Sequence, residues 1–227
     1  MKLSVIVPTL NEEVSLAATL EIVKMLKSVS EIIVVDGGSE DNTIEIASSF
    51  GATIINAKRG RGLQLDTGAR AATGDVFWFL HADTLPPANA SEQIIAALKD
   101  ERVIGGNFGI RFNGEKIAAK ILTSLYPQLR LLDLCYGDSA FFARREAYQK
   151  CGGFSADLPL FEDVEFYHRL KKHGRFVHLK SYVTSSSRRF EKRSFALTFA
   201  RWSLFQGLYW LGFPPQILAK YYAPIRK

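Results

Sequence analysis

The sequence predicts an α/β fold, a mostly parallel sheet flanked by helices with a C-terminal helical appendage. Three observations carry the prediction. Over the first 85 residues, short apolar runs alternate with longer amphipathic ones, the pattern of βαβ units. The apolar runs are nearly continuous, as in Ile32-Ile33-Val34-Val35, which is how strands covered on both faces read. Near Ser185-Ser186-Ser187 the composition shifts to a basic, aromatic-rich stretch, which divides the chain into residues 1–185 and a tail, 186–227.

Each element follows from pattern and punctuation. Leu3 to Val7 is the first strand. Asn11 to Lys27 carries Val14, Leu16, Ala17, Leu20, Val23, Met25 and Leu26 with helical recurrence, and Glu31 to Val35 is the second strand. Asp41 to Ser49 is a short helix capped by Asp41 or Ser39. Ala52 to Asn56 is a strand, Leu63 to Ala72 a helix, and Val76 to Leu80 a strand that ends before Pro86-Pro87. Beyond it the order is a helix from Ser91 to Lys99, a strand from Asn107 to Phe112, an amphipathic stretch from Glu115 to Leu132, and a strand from Gly137 to Ala143. Arg144 to Lys150 is a helix ended by Gly152-Gly153. Asp163 to His173 is another, stopped by Gly174, and Phe176 to Leu179 is strand-like.

With 227 residues, 47% hydrophobic and 23% charged, the chain has the composition of a globular protein able to bury roughly 70% of its unfolded surface. The charge of +6 is concentrated. Eight basic residues (Lys171, Lys172, Arg175, Lys180, Arg188, Arg189, Lys192, Arg193) lie between positions 171 and 193, with Arg169 and Arg201 just outside. Such charge suits phosphates or an anionic lipid surface. No zinc-finger, helix-turn-helix or RNP-like pattern accompanies it, so a nucleic-acid partner is not expected. Cys135 and Cys151 have neither metal-site nor disulfide spacing and read as buried free thiols of a reducing compartment. The N-terminal apolar run is too short for a signal peptide and no run reaches the 18 or so residues of a spanning helix. A cytoplasmic location is expected, in solution or at the inner face of the membrane.

Five segments carry candidate chemistry. Pro8-Thr9-Leu10-Asn11-Glu12-Glu13 follows the first strand, at the carboxyl edge where open parallel sheets bind ligands; helix capping by Thr9 or Asn11 explains it equally well. Asp36-Gly37-Gly38-Ser39 follows the second strand at the same edge, as a turn or as an acceptor for a base N–H. Arg59-Gly60-Arg61-Gly62-Leu63-Gln64 puts cations and glycines before a helix, which suits a diphosphate, although Leu65 stands where a dinucleotide fingerprint needs glycine. His81-Ala82-Asp83 ends an apolar strand, where Asp83 suits a hard cation, and His81 is near enough to touch donor or metal. Glu162-Asp163 opens a helix whose dipole would keep Asp163 ionised, as a general base requires; an acidic first turn is the plain alternative. His168, His173 and His178 lack metal-ligand spacing and read as structural or solvated.

Taken together, Ser4-Val5-Ile6-Val7-Pro8-Thr9-Leu10-Asn11-Glu12, Val34-Val35-Asp36-Gly37-Gly38-Ser39, His81-Ala82-Asp83 and Glu162-Asp163 resemble the family 2 glycosyltransferases of the GT-A fold, which have a Rossmann-like sheet. The resemblance runs through residues 1 to about 185. It implies inverting transfer of one sugar from a nucleotide-sugar donor to an acceptor hydroxyl, with Mg or Mn on the diphosphate. By position it implies that Pro8, Thr9, Glu12 and Asp36, with Arg61 and His81, hold the nucleotide and that Asp83 holds the metal. Asp163 would deprotonate the acceptor, and Gly137, Asp138 and Glu162 would lie on the acceptor side. Two departures stand out. The family's Asp-Asp-Gly-Ser is Asp36-Gly37-Gly38-Ser39 here, and its Asp-x-Asp is His81-Ala82-Asp83, which implies weaker metal affinity. Its Gln-x-x-Arg-Trp, a mark of processive synthases, is represented only by Thr198-Phe199-Ala200-Arg201-Trp202, which favours single addition.

The tail from Arg188, with Phe190, Phe195, Phe199, Trp202, Phe205, Tyr209, Trp210 and Phe213 among basic residues, either lies flat on a membrane or packs on the catalytic domain. The acceptor is unknown; a lipid-linked one matches the first arrangement. A nucleotidyltransferase is the nearest rival, yet Pro8 to Glu13 lacks the glycine-rich loop expected after strand one. A non-catalytic nucleotide-sugar binding protein is the rival from another class.

Overall fold

The computed structural model describes residues 1–114, 117–131, 133–186 and 195–221. Arg188, Arg189, Phe190, Lys192 and Arg193 of the expected basic stretch lie outside these, as do Ser187, Glu115 and Leu132.

The strands are β1 (Leu3–Thr9), β2 (Val29–Asp36), β3 (Thr53–Asn56), β4 (Val76–Phe79), β5 (Thr84–Leu85), β6 (Val103–Phe112), β7 (Phe142–Arg144) and β8 (Arg175–Ser185). They form one sheet in the order β3-β2-β1-β4-β7-β6-β8-β5. β3, β2, β1 and β4 run parallel, as the βαβ pattern predicts. The other half is mixed. β7 lies antiparallel between β4 and β6, β6 and β8 are parallel, and β5 closes the edge antiparallel to β8.

The helices are α1 (Leu16–Met25), α2 (Thr43–Ser49), α3 (Arg61–Ala71), α4 (Ala90–Ala97), α5 (Ile117–Leu131), α6 (Arg145–Lys150), α7 (Glu162–Leu170), α8 (Phe195–Trp210) and α9 (Pro215–Tyr221), with 3-10 turns at Gly137–Ser139 and Lys171–His173. Alternation along the central strands decides which helices cover which face. Leu3, Val5 and Val7 of β1 and Trp78 of β4 pack with Leu16, Leu20 and Val23 of α1 and Ile94 of α4. Ile6 and the β4 rings Phe77 and Phe79 face the other way, against Leu65 and Ala69 of α3 and Phe166 and Leu170 of α7. Both cysteines are free and buried, as expected.

Several elements differ from expectation, among them β6, which starts at Val103 rather than Asn107, and β5, which was not expected. The first helix starts at Leu16 rather than Asn11, and Val14 and Met25, read as part of its apolar face, are exposed. Gly137 to Ser139 is a 3-10 turn closed by the Ala140 N–H on Gly137 O, so only Phe142–Arg144 is strand there. β8 runs from Arg175 to Ser185, well past Leu179, because β6 lies beside most of it and β5 pairs with its end.

Candidate active site

The first two strand ends are brought side by side, since Thr9 of β1 pairs with Asp36 of β2. Asp36 is 1% exposed. One of its oxygens accepts from the hydroxyls of Thr9 (3.0 Å) and Ser39 (2.5 Å), the other from the backbone N–H groups of Gly38 (2.8 Å) and Ser39 (2.7 Å). Four bonds fill the acceptor sites of a carboxylate, so in this conformation Asp36 organises its loop. Thr9 and Asn11 do not cap α1. Asn11 adopts a φ of 54° and bridges loops, donating its N–H to Ser39 Oγ (2.9 Å) and accepting from the Glu40 N–H (2.9 Å). Glu12 is buried, and its N–H donates to Thr43 Oγ1 at 2.7 Å. Pro8 is half-buried beside Val35.

Gln64 belongs to this edge and was not singled out from sequence. Its buried amide donates to the carbonyls of both Thr9 and Val35 at 2.8 Å, fastening α3 under the two strand ends. The signal was a polar side chain on the buried face of a helix, where Gln64 and Asp66 stand among Gly62, Leu65, Gly68 and Ala69.

The chain leaves β4 through His81-Ala82-Asp83, and every carbonyl of that triplet is tied: His81 O to the Thr84 N–H (3.1 Å), Ala82 O to Thr19 Oγ1 (2.9 Å), Asp83 O to the Ser186 N–H (3.2 Å). His81 Nδ1 lies 3.2 Å from Asp138 Oδ1. Burial pulls the His81 pKa down, against the pull of Asp138, which favours a neutral imidazole. Among the described residues no three His, Cys, Asp or Glu side chains cluster as a cation cage. A strand-end carboxylate with an imidazole two positions away would suit a Mg-like ion shared with a phosphorylated ligand, and does not fit an ion held by protein alone.

Asp163 lies in the first turn of α7, which follows Phe161 at a left-handed φ of 63°. It is 6% exposed. One oxygen accepts the Gly137 N–H at 2.6 Å and the other the Val164 N–H at 2.8 Å. Arg61 completes the cluster: its guanidinium hydrogen-bonds Glu162 and approaches Asp163 Oδ2 at 3.7 Å. Arg61, expected on the donor diphosphate, therefore bridges the two carboxylates, and Glu162, expected to face an acceptor, is turned inward at 2% exposure. Burial raises the Asp163 pKa, and Glu162 adds to this against the opposing effects of Arg61 and the Gly137 N–H. That reverses the direction expected from the helix dipole. The packing leaves little room for change, because a Cβ on Gly62 would stand 2.7 Å from Ser155 O, and one on Gly137 would stand 3.2 Å from Asp163 Oδ2.

The tail helix reaches the same place. Tyr209 of α8 stacks on Phe161, ring centroids 4.6 Å apart, and Tyr136 donates its hydroxyl to Gln206 Oε1 at 3.2 Å. Phe161 and Tyr136 flank the two backbone stretches that hold Asp163. Burial, with Asp163 nearby, pushes the Tyr136 hydroxyl up to about 12. Neither Tyr136, Phe161 nor Gln206 carried a sequence signal, since their partners are distant in the chain.

Part of the basic stretch, with Arg169 beside it, is paired within the fold. Arg169 pairs with Glu165, Lys171 with Asp133 and Arg175 with Asp100 at 3.4 Å. The His178 Nδ1–H donates to Asn107 Oδ1 at 2.7 Å, a structural role, and burial pulls the His178 pKa down to about 4.

Comparison with known proteins bears on the fold and the family. The probable glycosyltransferase YdaM of Bacillus subtilis is 28% identical over 206 residues, covering 78% of this chain and 48% of its own length. The chain spans about half the length of that relative and less than two thirds of the next ones. Among solved structures, residues 1–349 of TarS from S. aureus superpose with a TM-score of 0.67 at 20% identity, covering 82% of this chain and 61% of that one. The mannosyltransferase PcManGT of Pyrobaculum calidifontis, in complex with GDP-Man and Mn2+, gives 0.65 at 22% identity, covering 81% and 56%. These likenesses place the fold among the GT-A glycosyltransferases. The model of glycosyl transferase family 2 matches residues 4–152, which hold β1 to β7 with the Thr9–Asp36 edge and Asp83, and the chain belongs to that family.

Proposed function

We propose that this protein is an inverting glycosyltransferase that moves one sugar from a nucleoside-diphosphate sugar to an acceptor hydroxyl. The observation that carries the reading is Asp163, a buried carboxylate with a raised pKa, fixed by the Gly137 and Val164 N–H groups. A base needs a pKa high enough to take a proton and an orientation that does not drift. The acceptor oxygen forms its bond to the anomeric carbon as its proton passes to Asp163. The bond from that carbon to the diphosphate breaks, and the nucleoside diphosphate leaves from the opposite face, inverting the centre.

Pro8, Thr9, Glu12 and Asp36 form the nucleotide edge, with His81 near the diphosphate. Arg61 keeps Glu162 and Asp163 in register, and Gly137 and Asp138 line the acceptor side. Asp83 would hold Mg or Mn, whose chemistry there is Lewis-acid neutralisation of charge on the leaving diphosphate. A fold neighbour that holds GDP-Man with Mn2+ and another that holds UDP-GlcNAc support a nucleotide-sugar donor without choosing between bases. A lipid-borne acceptor is supported by the apolar tail.

The test is the thermal unfolding midpoint with UDP, GDP, CDP and ADP, each with and without Mn. A ligand at 100 times its dissociation constant stabilises by about 2.7 kcal/mol, and one kcal/mol moves the midpoint by about 2–4 °C at this size. A metal-dependent rise with one nucleotide is expected. No rise with any of the four would sink the reading.

A further inference from the structure

α8 has two faces. Phe205 and Gln206 are buried and Tyr209 stacks on Phe161, so one face is seated beside Asp163. On the other, Leu197, Leu204 and Leu211 recur every seven residues and so form one line; their exposures are 72%, 59% and 78%. Leu211 stays in that line because its N–H still bonds Gly207 O. Trp210 is 60% exposed, and the turn and α9 that follow expose Phe213 and Ile217. A surface helix normally has one apolar stripe and one polar face. Here the outward stripe is apolar too, which marks a surface with a partner.

Charge identifies the partner. From Phe195 to Lys227 the sequence contains Arg201, Lys220, Arg226 and Lys227 and no Asp or Glu, and Arg188, Arg189, Lys192 and Arg193 come just before. The same segment of a second copy would offer these cations no carboxylate to pair with. An anionic lipid surface would pair them, each cation near it adding to the attraction. At 16 residues α8 is about 24 Å long, short of the roughly 30 Å hydrocarbon core, and among the described residues no helix is long and apolar enough to cross a membrane.

We propose that the outer face of α8, continued by α9, is a docking surface for an anionic bilayer, on which α8 lies flat while its inner face holds the loops around Asp163. Docking then brings the membrane surface to the catalytic carboxylate. That last consequence rests on the glycosyltransferase reading; the docking does not.

The experiment is co-sedimentation of the full chain with phosphatidylcholine vesicles, with and without phosphatidylglycerol, at low and high salt. Binding is expected only with phosphatidylglycerol, and it should weaken at high salt. Replacing Leu197 and Leu204 together by glutamate should lower the bound fraction at least about tenfold, since each leucine is worth more than one decade of burial free energy, with the thermal midpoint unchanged. Absence of binding to phosphatidylglycerol vesicles, binding indifferent to salt and to the double variant, or a dimer in sedimentation velocity that Leu204→Glu dissociates would each overturn the proposal. No donor or acceptor is present, so failure here leaves the transferase reading standing, and failure of nucleotide binding leaves docking standing.

Discussion

On the proposed reading, Asp163 is a side chain that serves function at a cost to stability. Its carboxyl pKa is raised above the ordinary aspartate value by burial and by Glu162. The folded state therefore favours the protonated form. The stability this brings is fully present below the unfolded-state pKa and is lost as pH rises through the folded one. At neutral pH the ionised carboxylate is held at a net cost, and Asp163→Asn should raise the thermal midpoint while lowering turnover by about 10²–10⁴-fold, the range for a lost general base. The pH–rate profile of the native protein should fall on its acid side as Asp163 takes up a proton, at a pH above the ordinary aspartate range. A variant that loses stability and keeps its activity would refute the assignment. The residue itself was legible, since Glu162-Asp163 precedes an amphipathic run. Its raised pKa was not, because burial, its largest cause, is decided by tertiary packing, and the groups that oppose it, Arg61 and Gly137, are distant in sequence.

At the scale of elements, α3 supports the Thr9–Asp36 edge, where the nucleotide is proposed to bind, through close approach to the sheet. A Cβ on Gly68 would stand 2.5 Å from Ile6 Cγ2 and 2.8 Å from Val35 Cγ2, so the helix rests on β1 and β2 only because that position has no side chain. Gly68→Ala should cost about 1–3 kcal/mol, the usual penalty for overpacking, and lower the midpoint by about 2–4 °C per kcal/mol. Because Gln64 one turn earlier holds the Thr9 and Val35 carbonyls, nucleotide affinity should fall as well, which calorimetry of the leaving nucleotide would measure. Unchanged affinity in the destabilised variant would separate α3 packing from the site. The segment's Arg-Gly-Arg-Gly composition suggested phosphate binding. Helix entry and tight packing account for it, since Gly60 has a φ of 155° at the helix start and Arg61 turns to Glu162.

For the whole molecule, the tail is continuous with the site. Tyr209→Ala should remove a stacked pair worth about 0.5–1.5 kcal/mol beyond its area, loosen Phe161 and with it the start of α7. The expected outcome is a fall in kcat of up to about tenfold with nucleotide affinity unchanged. Equal loss in both would mean general destabilisation instead. The expected choice between packing on the domain and lying on a membrane is thereby recast, since α8 packs through one face and exposes the other.

Local pattern was enough for the sequence to determine the βαβ half of the sheet, the strand ends that carry Asp36 and Asp83, and the helix that starts with Glu162-Asp163, because runs, turns and caps act between near neighbours. It misjudged the start of α1, since Asn11 and Glu12 bond to Ser39, Glu40 and Thr43 instead of capping a helix. Only tertiary structure decided that Asp36 closes its own loop, that Arg61 joins the carboxylates, and that the tail seats against Tyr136 and Phe161. The last two depend on residues brought together across tens of positions, as does the Thr9 bond to Asp36, and no local periodicity records which side chain a distant loop will meet.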